Sequence, residues 1–327
     1  MWNKIRIKIL QMENMYFVMM GHLNLTKEKN KYMYKLIAID LDGTLLNSYG
    51  TVSEKNKVAV KQAIQKGAEV VLTSGRGSMS VRNLATEIGA DHYMICGNGA
   101  VIYDLQNENL IYDKFLSTKK VLQLIQICEE NSIYYSVYTQ DSIITKSLNY
   151  NVLFYHQENA SKPDDKRTNI HIVQDIYQYI ENRKENDYIK INICDNNNIV
   201  FNSIIKKLRM VKDVDVLDVG HMSRKLIKSG TEEYAMEYFY TEISSQNVDK
   251  WTALSYLIDS LGIPPEEVVA IGDNINDKTM IENAGLGVAM ENAAPYIKKI
   301  AKVVTDSNNE DGVAKVLEKY VNGNGDF

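Results

Sequence analysis

The sequence predicts an α/β protein: a doubly wound parallel sheet interrupted by an inserted α+β module. Three observations carry that reading. From Leu36 to Cys96, short β-branched apolar runs alternate with helical segments at the spacing of βα units. The rhythm then gives way to closely spaced strand pairs, and it returns from Asn247 onward. With 327 residues the chain is long enough for two domains.

Residues 36–46, LIAIDLDGTLL, open as a buried strand and end abruptly in Asp40 and Asp42 before a Gly-Thr turn. Ser53 or a neighbour caps a helix whose Val58, Ala59, Ala63 and Ile64 share one face, with Gly67 as its stop. A strand at 68–73 leads into Ser74-Gly75-Arg76, and a helix over about 79–88 closes at Gly89. The next strand, 92–96, opens into Gly97-Asn98-Gly99. In the middle, the pattern gives a helix at 119–131 and an antiparallel pair at 134–138 and 142–145. A helix at 175–184, a strand at 189–194 and a helix near 201–210 follow. This module is expected to occupy 117–237, leaving 33–116 and 238–327 to the parallel-sheet core. The stretch 219–245 is longer and more charged than a simple return to the core requires. Beyond it come a helix at 250–261, strands at 268–271, 285–290 and 301–305, and a last helix at 312–320.

Composition removes several classes of function. Net charge is −5 and there is no basic tract, which argues against sequence-independent nucleic-acid binding. No run approaches the ~18–20 apolar residues that span a bilayer. The apolar patch at 15–20 lacks a signal-peptide core and a small-residue cleavage site. Residues 1–32 are therefore expected to be an extension without catalytic role, the functional protein beginning near Met33. Cys96, Cys128 and Cys194 are few and unclustered, which fits buried thiols in a reducing cytoplasm better than disulfides or a zinc site. The five histidines show no ligand spacing.

The chemistry is expected where the first strand ends. Carboxylates at i and i+2 there are costly unless they are paired or bind metal, and open α/β sheets place ligands at the carboxyl ends of their strands. An EF-hand loop does not fit, because Gly43 is the fourth residue from Asp40 rather than the sixth and the twelfth is Thr51. On its own, the pair reads either as catalytic or as a structural Asp-rich turn. Ser74, Lys250, and Asp273 with Asp277 converge on the same place if each lies at the carboxyl edge of the sheet.

This combination resembles the haloacid dehalogenase superfamily of phosphotransferases and carries its four motifs in order. It is closer still to the Cof-type subfamily. TSGR at 73–76, GNGA at 97–100, VDKWTAL at 248–254, GDNINDKTM at 272–280, GVAMENA at 287–293 and the closing NNEDGVAKVLEKY are all similar to its signatures. The resemblance runs from about Met33 to Val321. It implies a haloacid dehalogenase-like core with a type IIB α+β cap, because the large insertion falls between Arg76 and Lys250 rather than directly after the first motif.

For the site, the resemblance implies Asp40 as nucleophile, forming an aspartyl-phosphate, and Asp42 as general acid and base. Ser74 would bond the transferring phosphoryl group, and Lys250 would offset charge on Asp40 and the phosphoryl oxygens. Magnesium would be bound by Asp40, the backbone carbonyl of Asp42, and Asp273, with Asp277 a ligand or the partner of one. Gly75, Arg76, Asn98 and Asn276 are the candidate substrate contacts. The default alternatives are an Arg76–carboxylate pair, a turn role for Asn98, and plain packing for Tyr134, Tyr135 and Tyr138.

The implied reaction is magnesium-dependent hydrolysis of small phosphorylated metabolites, sugar phosphates first, with neither nucleic acid nor membrane as partner. Relatives that pump ions replace the second aspartate, and the superfamily's mutases carry a small helical cap after the first motif; neither pattern matches here. A phosphomutase and a non-catalytic phosphometabolite-binding protein are the alternatives. Phosphate release separates them from a phosphatase.

Overall fold

The computed structural model describes residues 34–160, 162–164, 167–217, 222–229 and 232–323. The expected extension at 1–32 lies outside them. Two sheets organise the residues from Lys35 onward. The first has eight strands in the order Val303–Val304, Leu286–Ala289, Val268–Gly272, Leu36–Asp40, Glu69–Thr73, Tyr93–Cys96, Val101–Asp104, Asn109–Asp113. The first six run parallel, and the last two form an antiparallel edge. The expected core strands are all present. The edge hairpin at 101–113 is an addition, and its outer strand is largely half-exposed.

Leu36–Asp40 lies in the middle of this sheet with every residue buried. Val268–Gly272 pairs on one side of it and Glu69–Thr73 on the other. The chain leaves this strand in one direction early and returns on its other side late, so its carboxyl end is a topological switch point. Helices cover the sheet as the capping residues direct. The Ser53 side chain accepts from the Asn56 N–H and starts Glu54–Gln65, and Gly89 ends Ser78–Ile88 at φ +81°. Lys250–Leu261 starts at Asp249, whose carboxylate accepts two backbone N–H groups, and buries Leu254, Leu257 and Ile258 against the sheet.

The second sheet is the cap. Its order is Val214–Val216, Glu232–Ser245, Tyr188–Asp195, Tyr134–Thr139, Ser142–Thr145, Asn169–Ile172, with Met222–Ser229 also paired to Glu232–Ser245. Position 237, where the inserted module was expected to end, lies inside Glu232–Ser245, which pairs within the cap sheet as far as Ser245. Period-2 alternation divides the faces. Ile191, Ile193, Tyr135, Val137 and Ile243 pack with helices Thr118–Glu130, Ile176–Asn182 and Asn198–Leu208 into the cap's own core. Lys190, Asn192, Tyr138, Tyr240 and Glu242 point the other way and line a cavity shared with the core.

The cap elements absent from the sequence reading include the short strands Asn169–Ile172 and Val214–Val216 and, facing the core, helix Tyr150–Ala160. Among its described residues only Val152 is fully buried, so it lacks the apolar stripe that reveals a helix. Its Asn151, Phe154, Tyr155 and Glu158 fall on one helical face, and all four line the same cavity.

Candidate active site

The cavity has a volume of about 350 Å³ and lies between the carboxyl edge of the core sheet and the open face of the cap sheet. At its floor Asp40 ends the central strand, only 4% exposed. Beneath it Lys250, fully buried, donates to Asp40 Oδ1 and, at 2.6 Å, to Asp277 Oδ1. Asp277 is equally buried, and its Oδ2 accepts the backbone N–H groups of Asp273 and Asn274 at 3.0 Å each. Asp277 therefore shapes the loop that presents Asp273. Asp273 Oδ1 accepts the Thr44 hydroxyl at 3.1 Å.

Oxygens of Asp40, Asp273 and Asp277 lie within 4.8 Å of one another. Three carboxylates face one ammonium, and the electrostatics register the imbalance. Burial first, then the charge of Asp277, raises the Asp40 pKa well above the usual carboxylate value. The same two causes push Asp273 up to about 7. Lys250 is held protonated: burial opposes its charge, but Asp277 and Asp40 more than offset that. A cluster of hard oxygen donors with surplus negative charge fits a divalent cation. Gly43 preserves the space. At φ +83°, a Cβ on it would stand 2.4 Å from Asp273 Oδ2.

Asp42 stands apart from the three clustered carboxylates. Its side chain is 59% exposed, and Arg76 grips both its oxygens, Nε at 2.8 Å and Nη2 at 2.6 Å. Of the two readings open for Arg76, the structure has the carboxylate pair, on a residue that also faces the cavity. Ser74 is 1% exposed, and its hydroxyl accepts the Arg76 N–H at 3.1 Å. Gly75, Asn98 and Asn276 all line the cavity. Asn98, at φ +57°, both makes the turn and reaches outward: its Oδ1 accepts from Asn276 at 2.9 Å, and its Nδ2 donates to Glu242 at 2.6 Å. Gly99 permits that turn to pack tightly, since a Cβ there would stand 2.2 Å from the Asp249 carbonyl oxygen.

The sequence reading missed the cap's contribution. Lys190, 4% exposed, donates to the Gly75 carbonyl and to Glu242 Oε1, each at 2.7 Å, and so bridges cap and core. Its Nζ lies 5.1 Å from the ring centre of Tyr138, which lines the cavity instead of serving only as packing. The signal was present as alternation in Tyr188–Asp195, YIKINICD, where Lys190 and Asn192 interleave with isoleucines. Thr44 was legible within the first motif itself.

A strand-end carboxylate backed by a buried lysine and flanked by an acidic loop, under a cap, defines a class of phosphoryl-transfer hydrolase. Residues 37–317 match the family model for haloacid dehalogenase-like hydrolases. The phosphatase YwpJ of Bacillus subtilis is 34% identical over 295 residues, covering 87% of this chain and 99% of that protein. The 5-amino-6-(5-phospho-D-ribitylamino)uracil phosphatase YcsE of Bacillus subtilis is 29% identical, covering 88% and 96%. A solved haloacid dehalogenase-like hydrolase from Bacillus subtilis superposes with a TM-score of 0.71 at 31% identity, covering 87% and 99%. The chain belongs to the haloacid dehalogenase-like hydrolase family, with the Cof-type core and cap. Its named relatives are phosphatases, and it is an enzyme of the phosphoric monoester hydrolase type.

Proposed function

We propose that this protein is a magnesium-dependent phosphatase of small phosphorylated metabolites, foremost sugar phosphates, acting through an aspartyl-phosphate on Asp40. The observation that carries the reading is the Asp40–Lys250–Asp277 chain at the cavity floor, with Asp273 beside it. Asp40 is buried where a phosphate ester entering the cavity meets it, and Lys250 orients its carboxylate through one oxygen. Asp40 attacks phosphorus as the ester bond breaks, and Asp42, freed from Arg76 and protonated from solvent, gives that proton to the departing alkoxide. Asp42 then takes a proton from the water that hydrolyses the aspartyl-phosphate, which returns Asp40 to its starting state. Arg76 holds Asp42 at the cavity wall until a leaving group arrives, and Ser74 sets the Arg76 backbone.

Asp40 and Asp273, with the Asp42 carbonyl, would hold magnesium, which would offset charge on the phosphoryl oxygens when bound. Asp277 braces that set through Lys250 and the Asp273 N–H. Cap residues 117–245 supply the leaving-group wall. Among the described residues no helix is long and apolar enough to cross a membrane. The three buried free cysteines agree with a reducing cytoplasm.

Phosphate release from a panel of small esters, with and without magnesium, tests the reading when wild type is compared with Asp40→Asn. Magnesium-dependent release by wild type alone is expected. Release that survives the substitution would remove Asp40 as nucleophile. An isomeric product without net phosphate would indicate a mutase, and binding without turnover a sensor.

A further inference from the structure

The charges on the cap side of the cavity constrain what the phosphate can be attached to. Among the described residues two cations line the cavity, Arg76 and Lys190, and each is already engaged by carboxylates. Arg76 holds Asp42 with two hydrogen bonds and lies 3.7 Å from Glu158. Lys190 is paired with Glu242 at 2.7 Å, with side chains only 5% and 15% exposed. Glu242 is fixed from its other side by Asn98 at 2.6 Å. The rest of this wall is uncharged: the amides of Asn151, Asn192 and Asn276 and the phenols of Tyr138, Tyr155 and Tyr240 can hydrogen-bond, while Phe154 and Leu217 add apolar surface.

A second anionic group on the substrate would compete with those carboxylates for Lys190 or Arg76. Displacing Glu242 from Lys190 would leave that carboxylate, 15% exposed, next to the incoming anion without its cation, and at Arg76 the anion would stand against both Asp42 and Glu158. When Asp42 turns to serve the leaving group, Arg76 still has a second carboxylate close by, Glu158 at 3.7 Å, which Lys162 holds at 3.0 Å. Hydroxyl groups make no such demand, because amides and phenols can donate to them and accept from them with both ion pairs intact.

We infer that the leaving group is uncharged and polyhydroxylated where it meets the cap, and that Glu242 and Glu158 reject phosphate esters carrying a second anionic group. The inference rests on the phosphatase reading above and narrows its substrate class.

The test is kcat/KM, with magnesium, for pairs of esters matched in length: glycerol 3-phosphate with 3-phosphoglycerate, sorbitol 6-phosphate with 6-phosphogluconate, and fructose 6-phosphate with its 1,6-bisphosphate. In every pair that is turned over, the neutral member is expected to lead by at least about tenfold, or ~1.4 kcal/mol. Glu242→Gln and, separately, Glu158→Gln should each narrow that ratio severalfold while keeping the folded state by circular dichroism. An anionic member that equals or beats its neutral partner in wild type overturns the inference but leaves the phosphatase reading standing. A ratio unmoved by both variants overturns the roles given to these carboxylates. Loss of turnover on every ester, p-nitrophenyl phosphate included, defeats the phosphatase reading itself and the inference with it.

Discussion

Replacing Lys250 with Met removes one charge from the cavity floor and little volume. With Lys250 in place, the carboxylates of Asp40, Asp273 and Asp277 (−3) face one ammonium (+1) and leave a net −2 when all are ionised. Without it the cluster stands at −3, and two carboxylates that are 6% and 0% exposed lose a direct partner. Breaking one side of a buried pair costs about 3–5 kcal/mol. The methionine keeps most of the stem, so a cavity term adds little. Against a total stability of roughly 5–15 kcal/mol that loss is large. At about 2–4 °C per kcal/mol it lowers Tm by on the order of 10 °C. Thermal unfolding followed by circular dichroism at neutral pH, with EDTA and then with magnesium, measures it. Magnesium should raise Tm more in the variant than in wild type, because it meets a larger surplus of negative charge. Lys250→Met with a Tm within about 1 °C of wild type would refute the account of Lys250 as the charge that holds these carboxylates together.

Two further outcomes follow from the same floor. Asp273, raised to about 7 by burial and Asp277, binds a proton in the folded protein at pH values where the unfolded chain has released it. Its contribution to stability is thus full below the unfolded value of about 4 and is lost as pH rises through about 7. In EDTA, Tm should fall between pH 5 and 8, and magnesium should flatten that slope; a profile that magnesium leaves unchanged would separate Asp273 from the metal. Gly43→Ala places a Cβ 2.4 Å from Asp273 Oδ2 at a positive φ. It should cost about 1–2 kcal/mol in backbone strain and, by displacing Asp273, raise the magnesium concentration needed for half-maximal phosphate release; an unchanged magnesium response would count against Asp273 as ligand.

The sequence alone determined the parallel core, the order of its strands along the chain, and the floor of the site. Asp40, Lys250, Asp273 and Asp277 stand at strand ends and a helix start whose apolar runs and caps are local signals. Buried charges at such positions announce themselves because nothing in a hydrophobic strand accounts for them. The cap side was not legible in the same way. Helix Tyr150–Ala160 faces the cavity with Asn151, Phe154, Tyr155 and Glu158, so it never shows the apolar period by which a helix is recognised. The alternation around Lys190 and Glu242 says that they share a face, but not that this face is turned toward Gly75 and Asn98. That pairing joins residues 115 and 144 positions apart. Only the docking of cap on core decides it, because the partner of a charged side chain is set by long-range packing and no local pattern encodes it.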